Sequence, residues 1–232
     1  MSVHHVLPPR GLYYDGAFHG IIDLYGQNDS VSLTEAWRLN VRAIIHETSL
    51  GLFREDGRYQ DRKDQALRMG FLWGAYHVVS DEDVDLQLDR FLKHEPGDNP
   101  NVLMAVDWED TSRGLMKVTK LRDFVTAFHE RLHFFPVLYG GHHVREAPEL
   151  QRGDEVLRHC PLWYIRIGEG MTQDALDFPR KTWPHFALWQ FATEKRSRVR
   201  PYPPDVLHGA DFSLYAGTED ELRKAWPFRG TK

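Results

Sequence analysis

Three carboxylates crowd the end of one apolar run: Val102-Leu103-Met104-Ala105-Val106 leads directly into Asp107, Glu109 and Asp110, with Trp108 between the first two. Five consecutive apolar residues after the turn-like Gly97-Asp98-Asn99-Pro100 read as a buried strand. Side chains alternate along a strand, so Asp107 and Glu109 point to one side, about 6.6–6.8 Å apart at the backbone, and Trp108 to the other. Two neighbouring carboxyls in a partly apolar setting resist ionising together. One can keep its proton as a general acid while the other stays charged, and glycoside hydrolysis needs such a pair. The same spacing also fits the solvated start of a loop or a helix N-terminus, so the surroundings have to decide.

Those surroundings alternate between apolar runs and amphipathic stretches. His19 to Tyr25 reads as a first strand carrying Asp23, and Ser32-Leu33-Thr34-Glu35 has capping-box spacing for a short helix to about Asn40. Val41 to His46 is a second strand, and Arg58 to Met69 a helix stopped by Gly70. Phe71 to Val78 is a third strand. Ser80 is expected to cap an acidic helix over Asp81 to Lys93, with Val84, Leu88 and Phe91 or Leu92 on one face. The carboxylate-bearing strand is the fourth. A long helix over Val118 to His133 and a fifth strand over Phe134 to Tyr139 follow, and this β-α-β rhythm calls for parallel strands with helices outside.

Beyond Tyr139 the rhythm changes. The expected elements are a short helix over Asp154 to Cys160, strands over Pro161 to Ile167, Phe186 to Ala192 and Ala210 to Leu214, and a closing helix over Glu219 to Trp226. Eight strands with few helices between the last three predict an α/β fold: a flattened, incomplete (β/α) barrel. Residues 1–18 read as an N-terminal extension and 19–232 as a single catalytic domain. In a parallel barrel the strand ends converge on one mouth, which would gather Asp23, Asp107, Glu109 and Asp211.

Composition narrows the choice of partner. The formal net charge of −5 argues against a nucleic-acid binder, which needs clustered Lys and Arg; the local run Lys195-Arg196-Ser197-Arg198-Val199-Arg200 reads as a solvated loop. Seven Trp, 9 Tyr and 13 Phe suit a core and equally a groove that stacks on sugar rings. Cys160 is the lone cysteine, so no intrachain disulfide can form. The first ten residues lack the charged-then-apolar pattern of a secretory signal, and no run approaches a membrane span. The expectation is a chain made in the cytoplasm that acts after lysis or dedicated secretion, with no membrane insertion and no obligate protein partner.

The segments together resemble glycoside hydrolase family 25, the Chalaropsis-type lysozymes, over roughly residues 19 to 217. The resemblance is carried by Ile21-Ile22-Asp23-Leu24, Thr48-Ser49-Leu50-Gly51, Gly74-Ala75-Tyr76-His77, Asp107-Trp108-Glu109, Pro136-Val137-Leu138-Tyr139, Leu162-Trp163, Trp189-Gln190-Phe191 and Asp211 with Tyr215 and Gly217. Departures from the family pattern fall at Glu47, Leu50, Ile165 and Ile167. The resemblance implies a cofactor-free N-acetylmuramidase acting on the β-1,4 bond between N-acetylmuramic acid and N-acetylglucosamine in peptidoglycan glycan strands. It implies Glu109 as general acid, Asp107 steadying positive charge or orienting a substrate acetamido group, and Asp23 and Asp211 holding that assembly. Tyr76, Tyr139, Trp163 and Trp189 are candidate sugar-binding residues, although each also suits a strand core. A non-catalytic glycan-binding relative and a metal-dependent hydrolase are the alternatives. His142 and His143 invite a metal reading, but no His-x-His or His-Glu-x-x-His pattern is present, and a pair of loop histidines with no metal is the expectation.

Overall fold

The computed structural model describes residues 17–28, 30–167, 176–193, 207 and 209–229. Residues 1–16, which make up most of the expected N-terminal extension, and the basic run at 195–200 lie outside them.

The strands are β1 (Phe18–Leu24), β2 (Ala43–Leu50), β3 (Arg54–Glu55), β4 (Leu72–Val78), β5 (Leu103–Asp107), β6 (Val137–Gly140), β7 (Leu162–Ile165), β8 (Leu188–Ala192) and β9 (Asp211–Tyr215). Their spatial order is β1-β9-β8-β7-β6-β5-β4-β2-β3, and an additional β1–β2 pairing closes eight of them into a barrel, with β3 attached as a hairpin to β2. Neighbours from β1 through β2 and β4 to β8 run parallel, whereas β9 is antiparallel to both β8 and β1. The ring of strands is therefore closed, and it is the helical layer that is incomplete. Helices α1 (Leu33–Arg38), α2 (Tyr59–Met69), α3 (Val84–His94), α4 (Val118–Leu132), α5 (His142–Glu146) and α6 (Pro148–Arg152) follow the earlier strands. No α-helix joins β7 to β8 or β8 to β9 among the described residues, and α7 (Glu219–Ala225) follows the last strand. No described helix is long and apolar enough to cross a membrane.

Period-two alternation sorts the core into two layers. Met104, Val106 and Trp108 belong to the outer core beneath the helices, with Leu121, Phe124 and Phe128 of α4. Leu103 and Ala105 face the barrel interior with Ile21, Ala43, Ile45, Val137 and Leu188. Leu222 and Trp226 join that inner group. The Trp226 indole N–H donates to the carbonyls of Trp73 and Asn101, at the N-terminal ends of β4 and β5, so α7 plugs the floor of the barrel. Gly74 faces inward where an added Cβ would stand 3.1 Å from Ile45 Cγ2 and 3.3 Å from Leu103 Cβ, so a larger residue would require those side chains to shift.

Three local expectations are corrected. Helix α3 starts at Val84, capped by Asp83, whose carboxylate accepts from the Leu86 amide, because Ser80 is engaged elsewhere: its amide and hydroxyl donate to the Gln87 side chain. The helix expected over Asp154 to Cys160 is only a 3-10 turn at Leu157–His159, since the Asp154 carboxylate takes the Val156 and Leu157 amides in a tight turn and Pro161 follows. His142 and His143 lie on α5 rather than on a loop.

Candidate active site

Each wall of the mouth is the end of an inward-facing column. On β5 the column Leu103, Ala105, Asp107 ends in a carboxylate, and the backbone there is fixed on both sides: the Val79 amide donates to the Asp107 carbonyl (3.0 Å) and the Trp108 amide to the Tyr139 carbonyl (3.0 Å). Trp108 points the opposite way, as alternation requires, and its indole N–H donates to the Met116 carbonyl (2.7 Å), anchoring the loop that carries Glu109. On β1, Asp23 is the direct cross-strand partner of Asp211. The antiparallel course of β9 explains how Asp211 reaches the mouth. It begins its strand, and only a reversed strand brings its start to the end where the parallel strands finish.

Asp23, Asp107, Glu109 and Asp211 line one cavity of about 510 Å³, together with Tyr76, Tyr139 and Trp163. The Tyr139 and Trp163 rings meet edge to face at 4.6 Å, and the Trp163 indole N–H donates across the interior to Ser213 Oγ (2.8 Å). Trp189 is the exception among the eight candidates. It does not line the cavity; it belongs to the outer core near Phe186, and its indole N–H donates to the Arg166 carbonyl. Alternation turns its neighbour Gln190 inward instead, where the side-chain amide donates to Asp211 Oδ2 (2.9 Å). The Trp-Gln-aromatic segment held that information, but the aromatic drew the assignment one position away from the residue that touches the carboxylates.

Two further lining residues, Glu47 and Arg54, are not among the expected catalytic or sugar-binding residues. Glu47 closes the inner column of β2 and Arg54 reaches it from β3, with Nη2 2.6 Å and Nε 3.2 Å from the same carboxylate oxygen. Glu47, Ile165 and Ile167 are positions where the sequence departs from the family pattern, and all three line the cavity.

Electrostatics at the mouth favour protonated carboxyls. Burial, then the charges of Glu109, Glu47 and Asp23, hold the Asp107 carboxyl well above the usual carboxylate range. Burial followed by Asp211 and Glu109 does the same for Asp23. Glu109 is raised mainly by burial, with His143 pulling it down and Asp211 and Asp110 pushing it up. Asp23 Oδ1 and Asp107 Oδ1 are buried with no hydrogen-bond partner among the described residues. Tyr76 and Tyr139, raised by burial, stay neutral phenols. His77 lies outside this set: it stacks between Phe91 and Phe124, bonds Ser49 Oγ, and burial lowers its pKa to about 3.

A closed α/β barrel with acidic strand ends that share protons at one mouth is the frame of a carbohydrate-cleaving enzyme. Residues 22–198 match the model of the Glycosyl hydrolases family 25, and the chain belongs to that family; it is a glycoside hydrolase. Among solved structures it is similar to a bacterial lysozyme from Streptomyces coelicolor (TM-score 0.72, 17% identity, covering 93% of this chain and 100% of that one). It is also similar to a family 25 lysozyme from Aspergillus fumigatus (TM-score 0.71, 20% identity, 90% and 98%) and a muramidase from Acremonium alcalophilum (TM-score 0.69, 22% identity, 87% and 95%). At these identities the likeness shows the fold. No curated protein sequence matches the chain.

Proposed function

We propose that this enzyme is a peptidoglycan hydrolase that cuts the β-1,4 bond between N-acetylmuramic acid and N-acetylglucosamine, with Glu109 as the general acid. The observation that carries the reading is the pairing of Glu109, on the loop leaving β5, with an inward Asp107 whose buried Oδ1 has no hydrogen-bond partner among the described residues. Burial keeps a proton available on Glu109 for the leaving glycosidic oxygen. Asp107 and Asp23 are held protonated at rest, and positive charge developing at the anomeric carbon draws them toward their charged forms, which then steady it; Asp211, held by Gln190, completes the wall. The neutral phenols of Tyr76 and Tyr139 and the face of Trp163 offer hydrogen bonds and ring contact to the sugar. Family membership and the muramidases and lysozymes of like fold support peptidoglycan as the substrate. The enzyme reaches the wall after lysis or through a dedicated secretion machine.

Digestion of purified peptidoglycan, with reducing-end labelling and mass spectrometry, tests this directly. New N-acetylmuramic acid reducing ends from wild type, absent with Glu109→Gln, are the expected result. Glycan binding without products from wild type would overturn hydrolysis in favour of a binding role, and N-acetylglucosamine reducing ends would overturn the bond assignment.

A further inference from the structure

We infer that Asp110, His142 and His143, directly after Glu109 and at the start of α5, form a binding site for a single transition-metal dication, zinc above all. The three side chains come from two elements: Asp110 follows Glu109 on the loop after β5, and the histidines open α5, directly after β6. Their ligand atoms all lie within 4.8 Å of one another, the one such His, Cys, Asp or Glu group among the described residues.

The geometry is unusual for two consecutive helical residues, which ordinarily diverge around the axis by about 100°. Here the imidazole rings approach to 3.8 Å between centroids, and both turn Nε2 toward one oxygen, Asp110 Oδ2, at 2.9 Å from His143 and 4.0 Å from His142. Tetrahedral ligands held about 2.0–2.2 Å from an ion stand roughly 3.3–3.6 Å apart, so the two contacts bracket the spacing an ion would impose. Two imidazoles and one carboxylate suit zinc rather than magnesium or calcium, which prefer all-oxygen shells. Three protein ligands leave a fourth position for water, and the exposed edges of His142 and Asp110 leave a route in from solvent.

Titration of the purified chain with zinc chloride by calorimetry, and with cobalt(II) by its visible absorption, tests the site without any glycan and so independently of the bond the enzyme cuts. One equivalent is expected for wild type. His142→Gln and Asp110→Asn, both at exposed positions and checked for folding by circular dichroism, are each expected to weaken binding by more than the roughly 10–100-fold that loss of an outer-shell partner costs a metal site. Failure to saturate, or unchanged binding in the variant lacking both groups, would overturn the site.

Discussion

Two regions of this molecule keep carboxylates away from water, and they treat them oppositely. Beneath the helices, Glu95 Oε2 takes Lys63 Nζ at 2.6 Å and the Tyr59 hydroxyl at 2.6 Å, and Asp154 Oδ2 takes Arg122 at 2.7 Å while Oδ1 accepts two backbone amides. Burial pushes Asp154 up, but the Arg122 and amide hydrogen bonds outweigh it and leave the group below its ordinary value. At the mouth the charged neighbours of Asp23 and Asp107 are other carboxylates rather than a lysine or arginine; a single unpartnered oxygen does not set them apart, since among the described residues Glu95 Oε1 also lacks a partner. A buried charge that is paired belongs to the architecture. One left beside its own kind is held at a cost in stability that only a reaction explains.

That contrast can be broken at either end. The largest effect is expected for Glu109→Gln: loss of roughly 10²–10⁴-fold in turnover, the range that a general acid supplies, with a thermal midpoint that does not fall. A fall in the midpoint would show that Glu109 is built into the fold. Lys63→Met should do the reverse, lowering stability by about 3–5 kcal/mol in denaturant titrations by stranding Glu95, while the folded fraction cuts glycan at the wild-type rate. A loss below about 1 kcal/mol would deny that the pair matters.

Asp107→Asn should abolish most activity and yet raise stability, in a pH-dependent way. A carboxyl whose pKa is raised on folding binds its proton more tightly in the native state, so native stability falls as pH climbs above the ordinary carboxylate value of about 4 toward the raised one. The melting advantage of the variant should therefore be absent near pH 3 and grow toward neutrality; an advantage that shrinks with pH would reverse the sign. Asp154, with its lowered pKa, predicts the mirror image: its contribution is present above about pH 4 and fades as pH falls through the folded value, so Asp154→Asn should cost most near neutrality. The smallest effect is expected for Arg54→Gln. Arg54 holds the buried Glu47 in the cavity wall, and its loss should raise KM for peptidoglycan severalfold with kcat little changed. An equal fall in kcat would give the pair a part in the chemistry.

Much of this was legible in the sequence, for identifiable reasons. Strands β1, β2, β4 and β5 announce themselves as apolar runs because both faces are buried, α3 and α4 through their apolar stripes, and α2 through the left-handed Gly70 that ends it. Asp23, Asp107 and Glu109 could be anticipated at one mouth because parallel strands end together, whereas Asp211, expected there on the same ground, arrives only because β9 is reversed. Direction and facing were harder to read. Nothing in Asp211-Phe212-Ser213-Leu214 encodes an antiparallel course, which depends on where the preceding connection delivers the chain. Trp189 is apolar enough for either face, so only the register of β8 reveals that Gln190 is the inward residue. The Glu47–Arg54 pair joins two residues across a hairpin whose second strand is two residues long, too short to leave a periodic signal.

The reversed strand β9 also sets the order of events in biosynthesis. Asp23 emerges early and Asp211 late, yet they are cross-strand partners, and β9 is the stave between β1 and β8. Until it docks, both neighbours expose unpaired edges, the kind of surface that recruits other chains. The docking is a long-range contact of the sort that slows folding. A nascent chain therefore carries its acid pair on β5 and the loop beyond it without the wall that completes the mouth, and a cell translating this enzyme meets the assembled hydrolase only after its last strand has been made and fitted.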